Sequence, residues 1–75
     1  MYLCALGEGE QGKVLKVSEE AEIKTRFREL GIIEGTPITC LRKSPLGDPV
    51  AYKIRGAVIA IRNADAKNIS IEKEG

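Results

Sequence analysis

The sequence predicts a mainly β fold, a small and partly open barrel of about five strands with one α-helix after the first strand. Short stretches of alternating apolar and polar residues recur along the chain, separated by glycine, proline and asparagine, as is typical of strands and turns. One stretch, residues 18–31, has helical apolar spacing instead. A chain of 75 residues can bury one modest core, so we predict one domain over residues 1–75.

The first strand follows a glycine-rich stretch, LGEGEQGKVLKV, at residues 6–17. Three glycines have the G-x-G-x-x-G spacing of a dinucleotide-binding loop: Gly7, Gly9 and Gly12. Such a loop requires a helix after its last glycine. Residues 13–17 instead alternate between polar and apolar side chains and include β-branched valines, which predicts a strand. The two glutamates between the glycines would also repel a pyrophosphate. We therefore interpret the glycines as turn residues and expect no nucleotide cofactor.

The helix is expected between Ser18 and Gly31. Ser18 is a suitable N-cap, and the three glutamates that follow suit the positive end of the helix dipole. Ile23, Phe27 and Leu30 form one apolar stripe. We expect Gly31 to adopt the left-handed conformation after the helix, and the next residue, Ile32, to pack back on Phe27.

The rest of the chain is predicted to form four strands: residues 36–43, residues 50–54, residues 57–62, and a last short strand through Ile69 and Ile71. A long turn rich in proline and glycine covers residues 44–49, and Gly56 marks a tight reversal. Residues 63–66 suggest one helical turn. A short helical turn before the last strand is common in SH3-like barrels, so this architecture is preferred to an OB-fold, which places its helix between the third and fourth strands.

Composition excludes several classes of function. Twelve basic and eleven acidic residues leave a charge of +1, and three residues are aromatic: Tyr2, Phe27 and Tyr52. Nucleic-acid barrels need a basic surplus and exposed aromatics, and proline-rich ligands need an aromatic groove. The longest apolar run is far shorter than the ~20 residues of a membrane span, and no signal peptide is visible. We expect a cytoplasmic protein with no nucleic-acid partner and no direct membrane insertion.

Catalytic groups are scarce. Histidine, the usual metal ligand and general base, is absent from the sequence. Cys4 and Cys40 could supply two thiolates of a four-ligand zinc site, and we expect both to stay reduced in the cytoplasm. The serines have no base beside them in sequence, and a pair of loop carboxylates is the remaining catalytic alternative. We expect no enzyme, no cofactor and no resident metal.

Four blocks of the sequence resemble one known family. They are RFRELGIIEGTPI at residues 26–38, PLGDP at residues 45–49, IRGAVIAIR at residues 54–62, and an opening pattern of Leu6, Gly9 and Gly12-Lys13-Val14. Together they resemble the ferrous iron transport protein A (FeoA) family, SH3-like barrels encoded with the GTPase-coupled iron permease FeoB. Phe27 stands where the family usually has leucine. The domain also occurs in metal-dependent repressors behind a winged-helix region, which this sequence lacks before Met1, so we expect the free-standing transport protein.

The resemblance implies a non-catalytic accessory protein of ferrous iron uptake that binds the cytoplasmic part of FeoB and supports its assembly or activity. One alternative is a GTPase-activating regulator with Arg26, Arg28 or Arg42 as an arginine finger. Another is a metal-sensing SH3-like regulatory module that uses Cys4, Cys40 and carboxylates. The sequence also leaves open a homo-oligomer formed through exposed strand edges.

The expected partner-binding residues lie on the long turn and the helix: Leu46, Gly47, Asp48, Pro49, Arg26 and Arg28. An apolar side chain on a preordered turn loses little entropy on docking. The alternative is that Gly47 and Pro49 only fix the turn while Leu46 packs inward. Three other glycines are assigned to turns: Gly31, Gly35 and Gly56.

Overall fold

The computed structural model describes residues 1–74. One antiparallel sheet has the order β4-β3-β2-β1-β5 and contains β1 (Gln11–Val17), β2 (Pro37–Lys43), β3 (Val50–Ile54), β4 (Ala57–Ile61) and β5 (Ile69–Glu74). Helix α1 (Ala21–Glu29) follows β1, and the short helix α2 (Asn63–Ala66) precedes β5. Neither helix has the length and apolar character that a membrane span needs. The predicted number, type and order of the helices and strands are confirmed.

The core lies on the inner face of the sheet. Alternate residues of the strands supply it, as period-2 geometry requires, and Ile38, Cys40 and Tyr52 are among its fully buried members. Phe27 and Ile32 close it from the side of α1. Phe27 and Tyr52 therefore pack in the core, as the sequence analysis predicts.

The N-terminal segment adds a part of the core that the sequence analysis does not predict. A single 3-10 turn, Leu3–Ala5, places Leu3 in the core, and Leu6 follows it there. Both leucines are 0% exposed. The residues before the turn run along β5, where Tyr2 forms a β-bridge with Ser70.

The predicted start of α1 is wrong, because the helix begins at Ala21 and Glu20 occupies the N-cap position. The Ser18 hydroxyl accepts a hydrogen bond from Glu20 N at 3.3 Å, which caps a bend before the helix. Ser18 N donates to Asn68 O at 2.8 Å. This bond prolongs the pairing of β1 with the start of β5 as far as Ser18, and the bend at residues 18–20 separates that strand from the helix.

The end of α1 has the geometry of a Schellman motif. Ile32 N donates to Phe27 O at 2.8 Å, Gly31 N donates to Arg28 O at 2.9 Å, and Gly31 has a φ of +85°. Gly31 O accepts two further hydrogen bonds, from Arg55 Nε at 3.0 Å and from Thr36 Oγ1 at 3.2 Å. These bonds satisfy the carbonyl of the residue that follows the helix C-cap and tie the end of α1 to the β3–β4 turn.

The β3–β4 turn consists of Arg55 and Gly56, with φ values of +51° and +81°. Positive φ at both central residues is characteristic of a type I′ turn, whose twist matches that of the flanking strands. Gly35 and Gly47 also have positive φ, +90° and +83°.

The opening glycines form a turn and not a phosphate loop. Glu10 N donates to Gly7 O at 3.0 Å, Gly9 has a φ of +82°, and β1 follows directly. The Glu10 carboxylate accepts a hydrogen bond from Gly7 N at 2.6 Å and forms an ion pair with Lys73 on β5. The Lys73 ammonium, and then the Gly7 N–H, lower the pKa of Glu10.

Candidate protein-interaction surface

The loop at residues 44–49 is fixed on α2. Gly47 N donates to Ser44 O at 2.7 Å, which closes the turn. Asn63, the first residue of α2, holds the loop twice: its N–H donates to Asp48 Oδ1 at 2.9 Å, and its Nδ2 donates to Gly47 O at 2.9 Å. Asp48 thus satisfies a backbone donor in the first turn of α2. The loop has a defined shape before any partner arrives.

Leu46 projects from this loop into solvent. It is 95% exposed, the highest value among the exposed large apolar residues of the described chain. The alternative in which Leu46 packs inward is therefore wrong, whereas the left-handed Gly47 beside it does set the geometry of the turn. Burying a leucine side chain is worth about 1.5–3 kcal/mol, so Leu46 can anchor a partner.

Arg26 joins α1 to the same part of the molecule. Its Nη2 lies 2.8 Å from Asp65 Oδ1 on α2, and the two side chains are 55% and 35% exposed. The Arg26 guanidinium also lies 5.5 Å from the centroid of the Phe27 ring. Helix α2 therefore contacts the loop through Asn63 and contacts α1 through Asp65.

Asn63 and Asp65 organise this surface, and the sequence analysis misses both roles. The sequence predicts the helical turn at residues 63–66 but gives no partner for either side chain. The two polar side chains on so short a helix are the feature of the sequence that could have indicated these roles. A four-residue helix leaves most of its backbone groups without partners inside the helix, and nearby side chains can supply them. We call the combined surface of residues 44–49, α2 and Arg26 the loop–α2 surface.

Arg28 does not belong to the loop–α2 surface. It borders a small depression of about 100 Å³ together with Lys16, Lys24 and Ile33. Arg26 instead borders a depression formed by other α1 residues, because positions two apart point to opposite sides of a helix. The structure thus divides the predicted partner-binding residues into two groups.

The cysteines are poorly placed for a metal. Cys40 is fully buried, and burial raises the pKa of its thiol, which disfavours the thiolate that binds metals. Cys4 is partly exposed. Over residues 1–74 no three histidine, cysteine or carboxylate side chains lie close enough together to hold a metal ion.

Comparison with known proteins identifies the family that these features match. The FeoA domain family matches residues 1–73. A relative from Porphyromonas gingivalis, the Fe(2+) transport protein A/Fe(2+) transporter FeoB fusion protein, is 33% identical over 72 residues. The match covers 96% of this chain and 8% of that protein, so the chain spans less than a tenth of its relative's length.

Solved structures share the fold. The FeoA protein from Chlorobium tepidum superposes with a TM-score of 0.91 and 29% identity, over 100% of this chain and 71% of that one. FeoA from Stenotrophomonas maltophilia, a prokaryotic SH3 domain protein complexed with zinc, gives a TM-score of 0.84 and 26% identity, over 96% of this chain and 89% of that one. A manganese-dependent transcriptional repressor, 19% identical, has the same fold over 40% of its length. The predicted SH3-like fold is confirmed.

Proposed function

The chain belongs to the FeoA domain family, and from this premise we propose that it is a non-catalytic accessory protein of ferrous iron uptake that binds a FeoB-type permease. One observation carries the proposal: in the Porphyromonas gingivalis relative, the iron transport protein and the FeoB transporter are parts of one polypeptide. Fusion keeps two domains at high effective concentration, which favours a contact that is individually weak. Where the two proteins are separate polypeptides, the same contact forms by diffusion.

The proposed contact is with the cytoplasmic part of the permease, so the protein works in the cytoplasm. Its role there is to support assembly or activity of the permease, and it binds no nucleic acid and does not insert into the membrane. The near-neutral overall charge of +1 supports this assignment, because the chain lacks the net basic surplus with which proteins bind phosphate backbones or anionic lipids.

The loop–α2 surface is the proposed binding site. Leu46 supplies an apolar anchor, and its loop is held by the bonds that Asn63 donates to Gly47 and Asp48 and by the bond from Ser44 Oγ to Pro49 O. Because the loop is already ordered, docking costs little conformational entropy. Arg26 adds a partly exposed cation at the border, whose pairing with Asp65 orients its guanidinium.

The test is a titration of the purified protein against the cytoplasmic GTPase region of a FeoB permease and against the whole permease in detergent, with binding and GTP turnover recorded together. We expect Leu46→Ser to weaken binding by about tenfold or more, as the loss of one buried leucine predicts. Leu15→Ser is the matched control, since Leu15 is another exposed leucine, on β1. Unchanged binding by a folded Leu46→Ser variant would remove Leu46 from the site.

A second candidate function, activation of the permease's GTPase, is favoured by the exposure of Arg28 and Arg42, neither of which forms an ion pair within residues 1–74. An arginine finger raises GTP hydrolysis by about 10³–10⁵-fold. Substoichiometric protein would then accelerate turnover, and Arg28→Lys or Arg42→Lys would abolish the effect while preserving the charge. Binding without a change in turnover would support the adaptor instead.

A further inference from the structure

The two edge strands of the sheet, β5 and β4, differ in how far other parts of the chain cover them. Along β5 the N-terminal segment covers part of the edge: Ile71 N donates to Met1 O at 2.7 Å, and Tyr2 bridges Ser70. At the opposite edge β4 pairs with β3 alone, and nothing else within residues 1–74 pairs with its outer side. One edge is thus protected and the other is open.

The open edge lacks the usual devices against pairing. Proteins guard exposed edges with charges, prolines or bulges. Strand β4 has none of these in its sequence AVIAI, and its register with β3 is regular throughout. Val58 on this strand is 67% exposed. The edge is therefore an apolar strand with free backbone groups, which is a template for strand addition.

The turn geometry determines which backbone groups are free. Ile54 and Ala57 flank the two-residue turn and form its hydrogen-bonded closing pair. Hydrogen-bonded and non-hydrogen-bonded pairs alternate along an antiparallel ladder. Val58, opposite Lys53, and Ala60, opposite Ala51, consequently direct their N–H and C=O groups away from β3. Two residues of β4 thus present two donors and two acceptors at the edge.

The charge around the open edge is one-sided. Between residues 36 and 62 the chain has a single acid, Asp48, and five bases: Arg42, Lys43, Lys53, Arg55 and Arg62. All five bases are exposed, and none forms an ion pair within the part of the chain that the structure describes. The rest of the chain has the opposite balance, with seven bases and ten acids. Two acids from outside this range also lie close by: Glu34 lines one depression with Lys53 and Arg55, and Glu8 accepts a hydrogen bond from Lys43 N. Five bases therefore face three acids, and the half of the sheet that contains β4 has a positive excess in a nearly neutral protein.

We propose that the β4 edge binds an extended, acidic segment of another protein, which joins the sheet as a further strand next to β4. The main-chain groups of Val58 and Ala60 would hold the segment, and the surrounding bases would select acidic side chains. A second copy of this chain fits less well, because antiparallel pairing of two β4 strands would bring the basic ends Arg55 and Arg62 of both copies together.

The spacing of strands in a sheet allows a base on β3 to reach an acidic side chain on the added strand. Neighbouring strands lie about 4.8 Å apart, so an added strand would lie about 10 Å from β3. Lys53 and Val58 are directly opposite each other, so their side chains are on the same face. The long Lys53 side chain can cover much of that distance and meet a carboxylate opposite Val58. The inference does not depend on FeoB, since any partner with such a segment would satisfy it.

The test uses two synthetic peptides of about ten residues, one in which glutamate alternates with threonine and one in which lysine replaces the glutamate. Both are titrated against the full chain by fluorescence anisotropy at two salt concentrations. We expect the acidic peptide to bind at least about tenfold more tightly, with affinity that falls as salt is added. Equal binding of the two peptides, or none by the acidic one, would overturn the proposal. Neither result bears on a FeoB contact at the loop–α2 surface.

Substitutions at Ala60 and Val58 test whether the peptide binds at the β4 edge. Ala60→Pro removes an outward N–H without removing a bond to β3, and should weaken acidic-peptide binding by about tenfold. Val58→Glu adds repulsion on the same face as Lys53, and Val58→Lys is its matched control. We expect Val58→Glu to weaken binding and Val58→Lys to preserve or strengthen it. Equal binding by the two Val58 variants would refute the site even if Ala60→Pro fails to fold. A second result would also refute the site: the chain forms a concentration-dependent dimer, and Val58→Glu disrupts this dimer without changing peptide binding.

Discussion

Alanine substitutions at Gly31 and Gly35 separate two contributions to stability, the strain of a left-handed backbone and the contact of a side chain with the new Cβ. Both have left-handed φ, +85° and +90°, so alanine at either position should incur the same conformational cost, about 1–2 kcal/mol. The surroundings differ. A Cβ on Gly35 would meet nothing within 4 Å, whereas a Cβ on Gly31 would lie 3.0 Å from Arg55 Cδ and 3.4 Å from Arg55 Nε.

Alanine at Gly31 therefore also requires the Arg55 side chain to move by a few tenths of an ångström. This movement strains the hydrogen bond from Arg55 Nε to Gly31 O, and complete loss of such a bond would cost about 0.5–1.5 kcal/mol. Gly31→Ala should thus cost more than Gly35→Ala, by up to about 1 kcal/mol. In a chain of this size 1 kcal/mol corresponds to about 4–8 °C in melting temperature, so Gly31→Ala should melt below Gly35→Ala by up to about that much.

Thermal unfolding followed by circular dichroism, with urea titrations for the free energies, measures both variants. The comparison is then repeated in an Arg55→Ala background, which removes the contact and leaves the strain at both glycines. There the two alanine variants should cost the same, because the coupling term of the double-mutant cycle is gone. Equal melting temperatures in the wild-type background, or a gap that persists without the Arg55 side chain, would refute the reasoning.

The remaining predictions concern two titrating groups. The lowered pKa of Glu10 means that its pairing with Lys73 stabilises the fold fully above the ordinary pKa of 4.5 and is lost as the pH falls through the lowered value. Melting temperatures over an acid pH series should show the deficit of Glu10→Gln shrinking below pH 4.5, and a constant deficit would contradict this. Burial raises the pKa of the Tyr52 phenol, so this group should favour the folded state below its ordinary pKa of 10.0 and destabilise it as the pH rises further. An alkaline spectrophotometric titration should show the Tyr52 phenol ionising only as the protein unfolds, and Tyr52→Phe should remove this part of the absorbance change. Ionisation of Tyr52 at a pH where the protein is still folded would refute the prediction.

Local rules predict most of the fold, because most of the signals are local. The alternation of Val50, Tyr52 and Ile54 identifies a half-buried strand, and Gly31 identifies the end of a helix, since both depend on neighbours within a few residues. The start of α1 is predicted two residues too early. Ser18 is a good N-cap by local rules, but its hydroxyl accepts from Glu20 N in a bend that precedes the helix. Its own N–H extends the β1 ladder to Asn68, a contact fifty residues away that local rules do not predict.

The parts of the interaction surface that the sequence does not predict depend on distant contacts. Leu46 is expected on a turn, yet its exposure depends on how Asn63 holds that turn, and nothing in residues 44–49 alone specifies this. The pairing of Arg26 with Asp65 joins residues 39 apart in sequence. The separation of Arg28 from Arg26, in contrast, follows from helical geometry once the bounds of α1 are known.

The order of strands in the sheet also governs how the chain can assemble. Strands β2, β3 and β4 follow one another as neighbours, so each pairs across a short loop. Strand β1 must find β5, and the ladder joins Gln11 to Glu74, 63 positions later in the sequence. Each doubling of the length of a closed loop costs only about 0.6 kcal/mol, but such distant pairings slow folding because entropy is lost before contacts form. A ribosome synthesises β5 after the other four strands, so a nascent chain reaches this fold only when β5 has emerged to take its place beside β1.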